Sequence, residues 1–209
     1  MKKLALALTL AALCAGCADI QRSRGLANPG VSATTLAQQV CSNCHGMTGN
    51  AVSPNFPNLA GQSEAYLVAQ LTGFKAQSRR DPAGYEYMWG LSRRLSDEQI
   101  AGLATYYAAQ APERQPAESD AARRSAGQAI FETGVAASNV PACATCHGSQ
   151  AQGQAGFPRL AGQHADYLVK QLAVFLRSND RPEGSIMKTV AHGLTQQDIV
   201  DVAAFLQAR

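Results

Sequence analysis

Apolar positions along this chain recur at helical spacing. Leu36 and Val40 lie one turn apart just before the first cysteine pair, and Tyr66, Leu67, Leu71 and Phe74 line one side of a helix predicted over 63–79. Ser96-Asp97-Glu98-Gln99 is a capping-box start, in which serine and glutamine side chains can each satisfy the other residue's backbone N–H. Behind it Ile100, Leu103, Ala104 and Tyr107 keep helical register. Thr195 to Asp198, followed by Ile199, Val202, Ala203 and Leu206, repeats the arrangement. The pattern predicts an all-α fold.

The whole pattern occurs twice. Phe56-Pro57-Asn58-Leu59-Ala60-Gly61-Gln62 returns as Phe157-Pro158-Arg159-Leu160-Ala161-Gly162-Gln163, and Tyr66-Leu67-Val68 returns as Tyr167-Leu168-Val169. Both pairs are offset by 101 positions, whereas Met88, Leu95 and Ile100 match Met187, Leu194 and Ile199 at an offset of 99, so a small deletion separates the two blocks. Residues 111–121 are rich in proline and charge with no apolar period, which makes them a linker. The repeat thus divides the chain into a first domain over 31–110 and a second over 122–209. Units of this size bury little apolar surface alone and need a staple such as a covalently held cofactor.

Met1-Lys2-Lys3, the apolar run from Leu4 to Leu13 and the small residues up to Ala18 have the three-part layout of a bacterial export signal over 1–18. The run is too short to span a bilayer. Cys14-Ala15-Gly16-Cys17 resembles a lipoprotein processing site, in which Cys17 would be acylated; plain cleavage after Ala18 is the alternative. Residues 19–30 would then serve as a tether, and the protein would sit in the periplasm, free or held at a membrane face.

Composition narrows the function. The 209 residues are 46% hydrophobic and 16% charged, which suits a folded chain, and the formal charge is only +3. Loss of Lys2 and Lys3 with the leader leaves acidic and basic side chains nearly balanced, which gives no support to a nucleic-acid partner.

The chemistry lies in Cys41-Ser42-Asn43-Cys44-His45 and Cys143-Ala144-Thr145-Cys146-His147, one motif per repeat. Two thiols separated by two residues can add across the two vinyl groups of a haem, and the adjacent histidine is then placed under the iron. A zinc ribbon would pair its cysteines much more closely in sequence, a redox dithiol would need a βαβ setting, and a structural disulfide would leave both histidines unexplained. The motifs therefore predict two covalently bound haem c groups.

The sixth ligand decides whether each iron is closed for electron transfer or open for catalysis. Met88 and Met187 occupy matching repeat positions, each seven residues before the leucine that precedes the last helix cap, and are the candidate ligands. Thioether ligation favours reduced iron and raises the potential relative to two histidines. Met47, two residues past His45, reads as a loop residue. His164 and His192 have no counterpart in the other half and read as surface side chains, with His192 a substitute ligand for the second haem. Pro57 and Pro158 follow the motifs at similar distances; a carbonyl there could accept the proximal histidine's Nδ1–H, or the prolines could simply break a loop.

These motifs, the Phe-Pro-x-Leu-Ala-Gly-Gln segments, the paired Tyr-Leu-Val helices and the methionine-to-leucine blocks together resemble the dihaem cytochrome c4 family over almost everything beyond the tether. The resemblance implies two tandem cytochrome c-like domains, each wrapped around one haem, with propionates near the interface and His45/Met88 and His147/Met187 as axial pairs. It also implies a periplasmic electron carrier, with no catalytic residues, that exchanges electrons with redox proteins and membrane respiratory complexes and delivers them toward a terminal oxidase. Tyr85-Glu86-Tyr87-Met88-Trp89-Gly90 departs from the family by being more aromatic than its methionine-rich stretch. The alternative functions are a dihaem peroxidase, which needs one open iron, and a fixed cytochrome subunit of a dehydrogenase or oxidase.

Overall fold

The computed structural model describes residues 24–82, 84–116 and 120–209. The predicted export signal over 1–18, the acylation candidate Cys17 and the first part of the tether lie outside the described residues.

Each half is a small helical unit. In the first, α1 (Ala33–Leu36) runs through a π-helical turn (Ala37–Cys41) into α2 (Ser42–His45). Then come α3 (Glu64–Lys75), a second π-helical turn (Gly84–Met88), α4 (Trp89–Ser92) and α5 (Asp97–Ala108). The second half comprises α6 (Ala121–Thr133), α7 (Ala144–His147), α8 (Ala165–Arg177), α9 (Ser185–His192) and α10 (Gln196–Gln207). Among the described residues, extended pairing is limited to two isolated bridges, Val135 with Val140 and Gln154 with Phe157.

Both predicted capping boxes form. Ser96 Oγ accepts from Gln99 N at 3.1 Å while Gln99 Oε1 accepts from Ser96 N at 3.0 Å, and Thr195 and Asp198 exchange the equivalent pair at 3.1 and 2.8 Å. The helices behind them supply much of two separate cores. Ile100, Leu103 and Tyr107 pack with Leu36 and Leu67, and Ile199, Val202 and Leu206 pack with Phe131 and Leu168. Helix α6 crosses α10 at Gly127, where a Cβ would collide with the Asp201 carbonyl, so glycine is what lets the two backbones meet.

Helix α3 ends sooner than the apolar spacing predicts. It stops at Lys75, because Gln77 takes a left-handed φ of 57° and turns the chain. Ser78 and Arg79 then both donate their N–H to Gly73 O, at 3.0 and 3.1 Å. The reversal folds Arg79 back over the Phe74 ring, its guanidinium carbon 4.4 Å from the centroid.

The two halves meet through a quasi-twofold set of hydrogen bonds. Gln62 accepts from Arg159 N at 2.7 Å and donates to Arg159 O at 3.0 Å. Its repeat mate Gln163 accepts from Asn58 N at 2.9 Å and donates to Asn58 O at 3.0 Å. The residue after each glutamine also reaches across: Ser63 Oγ donates to Ala155 O at 2.7 Å, and His164 Nε2 bonds to Ala51 O at 2.9 Å. His164 is thus not the surface side chain its sequence context suggests. It is only 6% exposed, because the first half covers it and its ring nitrogen satisfies a carbonyl there. His192 is exposed at the end of α9, its Nδ1 2.8 Å from Lys188 O.

Candidate haem sites

In both halves the cysteine motif forms a short helix that a positive-φ glycine ends, Gly46 at 76° and Gly148 at 80°. The four thiols are unpaired and half-buried. Cys41 and Cys143 pack against their respective cores, and before a haem is attached burial pushes each thiol up to about 11.

The histidines that close the same short helices are buried, His45 at 7% and His147 at 6% exposure. Behind each motif the chain loops back on itself. Leu59 and Ala60 N–H both donate to Gly49 O at 2.6 and 3.1 Å, and Leu160 and Ala161 do the same to Ala151 O at 2.8 and 3.0 Å. That closure holds the Pro57 carbonyl 2.9 Å from His45 Nδ1 and the Pro158 carbonyl 2.9 Å from His147 Nδ1. Phe56 sets its edge against the His45 ring at 6.2 Å, and Phe157 does so against His147 at 6.1 Å. Burial lowers the pKa of both imidazoles and the proline carbonyls only partly oppose it, so each ring is neutral. Nδ1 donates to the carbonyl, which leaves Nε2 as the nitrogen available to a metal.

Met88 closes the second π-helical turn and Met187 lies in the first turn of α9; both are half-buried. The turns that carry them are not copies. Three residues separate Gly84 from Met88 but only two separate Gly184 from Met187, and the π-helical turn accommodates the extra residue. It pushes Tyr85 and Tyr87 outward to 44% and 59% exposure. Tyr85 stacks on Trp89 at 6.0 Å with 10° between planes, and Tyr87 meets Phe56 edge-on at 6.4 Å. Met47, at 58% exposure, is a surface loop residue.

The donor set fits haem. Two thiols one helical turn apart suit the two vinyl groups, and a neutral imidazole with a committed Nδ1 suits the iron. Among the described residues no group of three or more His, Cys, Asp and Glu side chains is placed to hold a metal ion by itself, which disfavours zinc. Fold and site together define a dihaem c-type cytochrome, with one covalently attached haem c per half.

The cytochrome c family model matches residues 31–110 and 124–209. Cytochrome c-552 of Acidithiobacillus ferridurans is 41% identical over 169 residues, covering 80% of this chain and 73% of that one. Cytochrome c4 of Azotobacter vinelandii is 37% identical over 178 residues, covering 80% and 83%. The thiosulfate dehydrogenase electron acceptor of Thiomonas intermedia is 35% identical over 175 residues, covering 81% and 78%. Among solved structures, Acidithiobacillus ferrooxidans cytochrome c4 superposes with a TM-score of 0.75 at 40% identity, covering 81% of this chain and 98% of that one. The chain belongs to the cytochrome c4 family, dihaem cytochromes of electron transfer.

The motifs and the proline carbonyls are legible in the sequence, but what surrounds them is not. Phe56 and Phe157, used only to align the repeats, flank the proximal rings. The aromatic character of 85–89 is legible in the sequence, whereas no local pattern marks the π-helical turn that absorbs the extra residue between Gly84 and Met88.

Proposed function

We propose that this chain is a periplasmic electron carrier in which both irons are six-coordinate, His45 with Met88 in the first half and His147 with Met187 in the second, and that it catalyses no bond-making reaction. Haem iron bound at each motif supplies one-electron Fe(III)/Fe(II) chemistry. The protein's own contribution is positional. Cys41, Cys44, Cys143 and Cys146 hold the cofactors covalently, and the Pro57 and Pro158 carbonyls fix the two imidazoles in one tautomer and orientation. The Met88 and Met187 thioethers would complete the donor sets and would leave neither iron open to substrate.

The observation that carries this reading is the equivalence of the two sites: each has a neutral histidine bonded at 2.9 Å to a proline carbonyl, and each has a half-buried methionine at the matching repeat position. A peroxidase would need the halves to differ at the ligand. The redox partners are protein donors and membrane respiratory acceptors; the thiosulfate dehydrogenase electron acceptor among the relatives supports a periplasmic dehydrogenase as one class of donor. Acylation at Cys17 would hold the carrier at the membrane, and intact-mass measurement of the mature N-terminus distinguishes this from plain cleavage. No helix among the described residues is long and apolar enough to cross a membrane.

A spectroscopic redox titration of the purified holoprotein tests the function. Two haems, a thioether-to-iron charge-transfer band in the oxidised protein, and loss of half that band in each of Met88→Ala and Met187→Ala are expected. Rapid peroxide turnover, or a native oxidised spectrum in either variant, would overturn it.

A further inference from the structure

A buried polar cluster between the halves lies outside the haem-attachment motifs, at the root of both methionine-bearing segments. Gln70 on α3 and Gln171 on α8, a repeat pair, are both buried, as are Arg79, Arg181 and Asp81. Arg79 grips the Asp81 carboxylate through Nε at 2.6 Å and Nη2 at 3.2 Å, and donates to Gln70 Oε1 at 2.6 Å. Arg181 donates to Gln171 Oε1 at 2.6 Å and to Glu183 Oε1 at 3.0 Å. Each of these bonds stays within its own half.

The crossing bonds interlock them. Gln171 donates to Asp81 Oδ2 at 3.3 Å and accepts from Arg79 Nη2 at 3.3 Å. In the opposite direction Arg181 Nη2 donates to Gln70 Oε1 at 2.9 Å and to the Tyr66 hydroxyl at 3.1 Å. Arg80 N also donates to Asp180 O at 2.7 Å, joining the two backbones.

Both methionine segments begin on this cluster. Asp81 O accepts from Tyr85 N at 2.9 Å, at the start of the turn that ends in Met88. Arg181 O accepts from Gly184 N at 3.1 Å, at the entry to the helix that carries Met187. Gly84 and Gly184 lie against Phe74 and Phe175, the rings on which Arg79 and Arg181 stack. The residue whose backbone carbonyl anchors each segment is therefore tied, through its side chain, to the other half.

From this crossed arrangement we infer that Gln171 and Tyr66 are positioning residues, each holding the axial methionine of the opposite haem. The inference rests on the proposed Met88 and Met187 ligation. Removal of a crossing bond loosens the anchor and raises the fraction of time the opposite thioether is off the iron; because Gln171 also accepts from Arg181 in its own half, its effect is read where only Met88 reports. Because apparent affinity for a competing ligand scales with the fraction of competent sites, a threefold rise in that fraction lowers the apparent dissociation constant about threefold.

The test uses two full-length holoprotein backgrounds in which a single thioether band remains. In Met88→Ala only Met187 reports, and Tyr66→Phe is added in the first half; in Met187→Ala only Met88 reports, and Gln171→Leu is added in the second. Imidazole is titrated into the oxidised proteins and loss of the band is followed. Each added substitution is expected to lower the imidazole midpoint of the opposite haem by about threefold or more. Unchanged midpoints in both pairs would overturn the inference. Tyr66→Phe removes only a hydroxyl and keeps the fold, so a failure of Gln171→Leu to fold still leaves one crossing bond tested. A background that shows no band before the second substitution would instead refute the methionine ligation on which the inference stands.

Discussion

The side-chain amide of Gln163 brackets the backbone of Asn58, accepting its N–H at 2.9 Å and donating to its C=O at 3.0 Å. Asn58 follows Pro57, whose carbonyl holds the proximal His45, so an amide from the second half braces the loop that orients the first half's haem ligand. Removing one partner of a buried hydrogen bond leaves the other to bear its desolvation cost, about 1–3 kcal/mol per group. Gln163→Ala is thus expected to destabilise the holoprotein by at least about 2 kcal/mol, since the Asn58 N–H and C=O lose their partner together with the His164 N–H that the same amide accepts. Urea denaturation followed by haem absorbance measures it, and a loss no larger than that of a surface Gln→Ala control would show that water replaces the amide freely.

His164 gives a second, smaller prediction. Its ring nitrogen satisfies the Ala51 carbonyl at 2.9 Å from a position where the other half has Ser63, which reaches Ala155 O with a shorter hydroxyl at 2.7 Å. His164→Ala opens a gap at the interface and strips Ala51 O of its donor, for an expected loss of about 1–3 kcal/mol. His192→Ala, at an exposed site, is expected to change stability by no more than about 0.5 kcal/mol. Parallel denaturation curves of the two variants decide whether their contrast in burial has energetic weight.

That contrast shows what the sequence could and could not convey. Local periodicity and capping chemistry place the last helix of each half correctly, since Ser96 with Gln99 and Thr195 with Asp198 act within four residues of each other. The cysteine motifs and the Pro57 and Pro158 carbonyls are legible for the same reason: the chemistry is short-range. The interface is not, because nothing local marks a polar side chain that will be buried by the other repeat. Gln62 and Gln163 recur in the sequence but read as alignment markers until each is seen on the other half's backbone. Arg79 and Arg181 are harder still, because they converge on one cluster without aligning in sequence: the Pro82-Ala83-Gly84 match to Pro182-Glu183-Gly184 pairs Arg181 with Asp81. The early end of α3 has a similar cause, a left-handed Gln77 that apolar spacing does not encode.

Gly127 is a point where packing tolerates nothing. It lies on α6 where that helix crosses α10, and a methyl group there would meet the Asp201 carbonyl, which is backbone and cannot swing aside. Helix propensity alone favours alanine over glycine by about 1 kcal/mol, so the intrinsic effect and the packing effect oppose each other. Overpacking costs about 1–3 kcal/mol and is expected to win, lowering the unfolding midpoint of the second half. Thermal denaturation of Gly127→Ala holoprotein checks this; a raised midpoint would mean that α6 can shift away from α10 at little cost.

Asp81 makes the stability depend on acid pH. Burial alone would raise its carboxyl, but the Arg79 hydrogen bonds and charge, together with Gln171 and Arg181, outweigh burial and hold it below its ordinary value of 3.8. A carboxyl depressed on folding binds fewer protons in the native than in the unfolded state, so its contribution is complete above the ordinary value and declines as pH falls toward the folded one. The clasp between the halves is therefore at full strength at neutral pH and weakens only below about pH 4. Asp81→Asn removes the charge that Arg79 grips through two bonds in a dry site, and breaking a buried pair on one side costs about 3–5 kcal/mol at neutral pH. The same variant is expected to lose part of the acid-dependent decline, because the group that titrates is gone. Denaturation curves of native and Asp81→Asn holoprotein between pH 2.5 and 7 measure both effects, about 2.5 being low enough to protonate an ordinary carboxylate. An undiminished acid slope in the variant would assign the decline to other carboxylates.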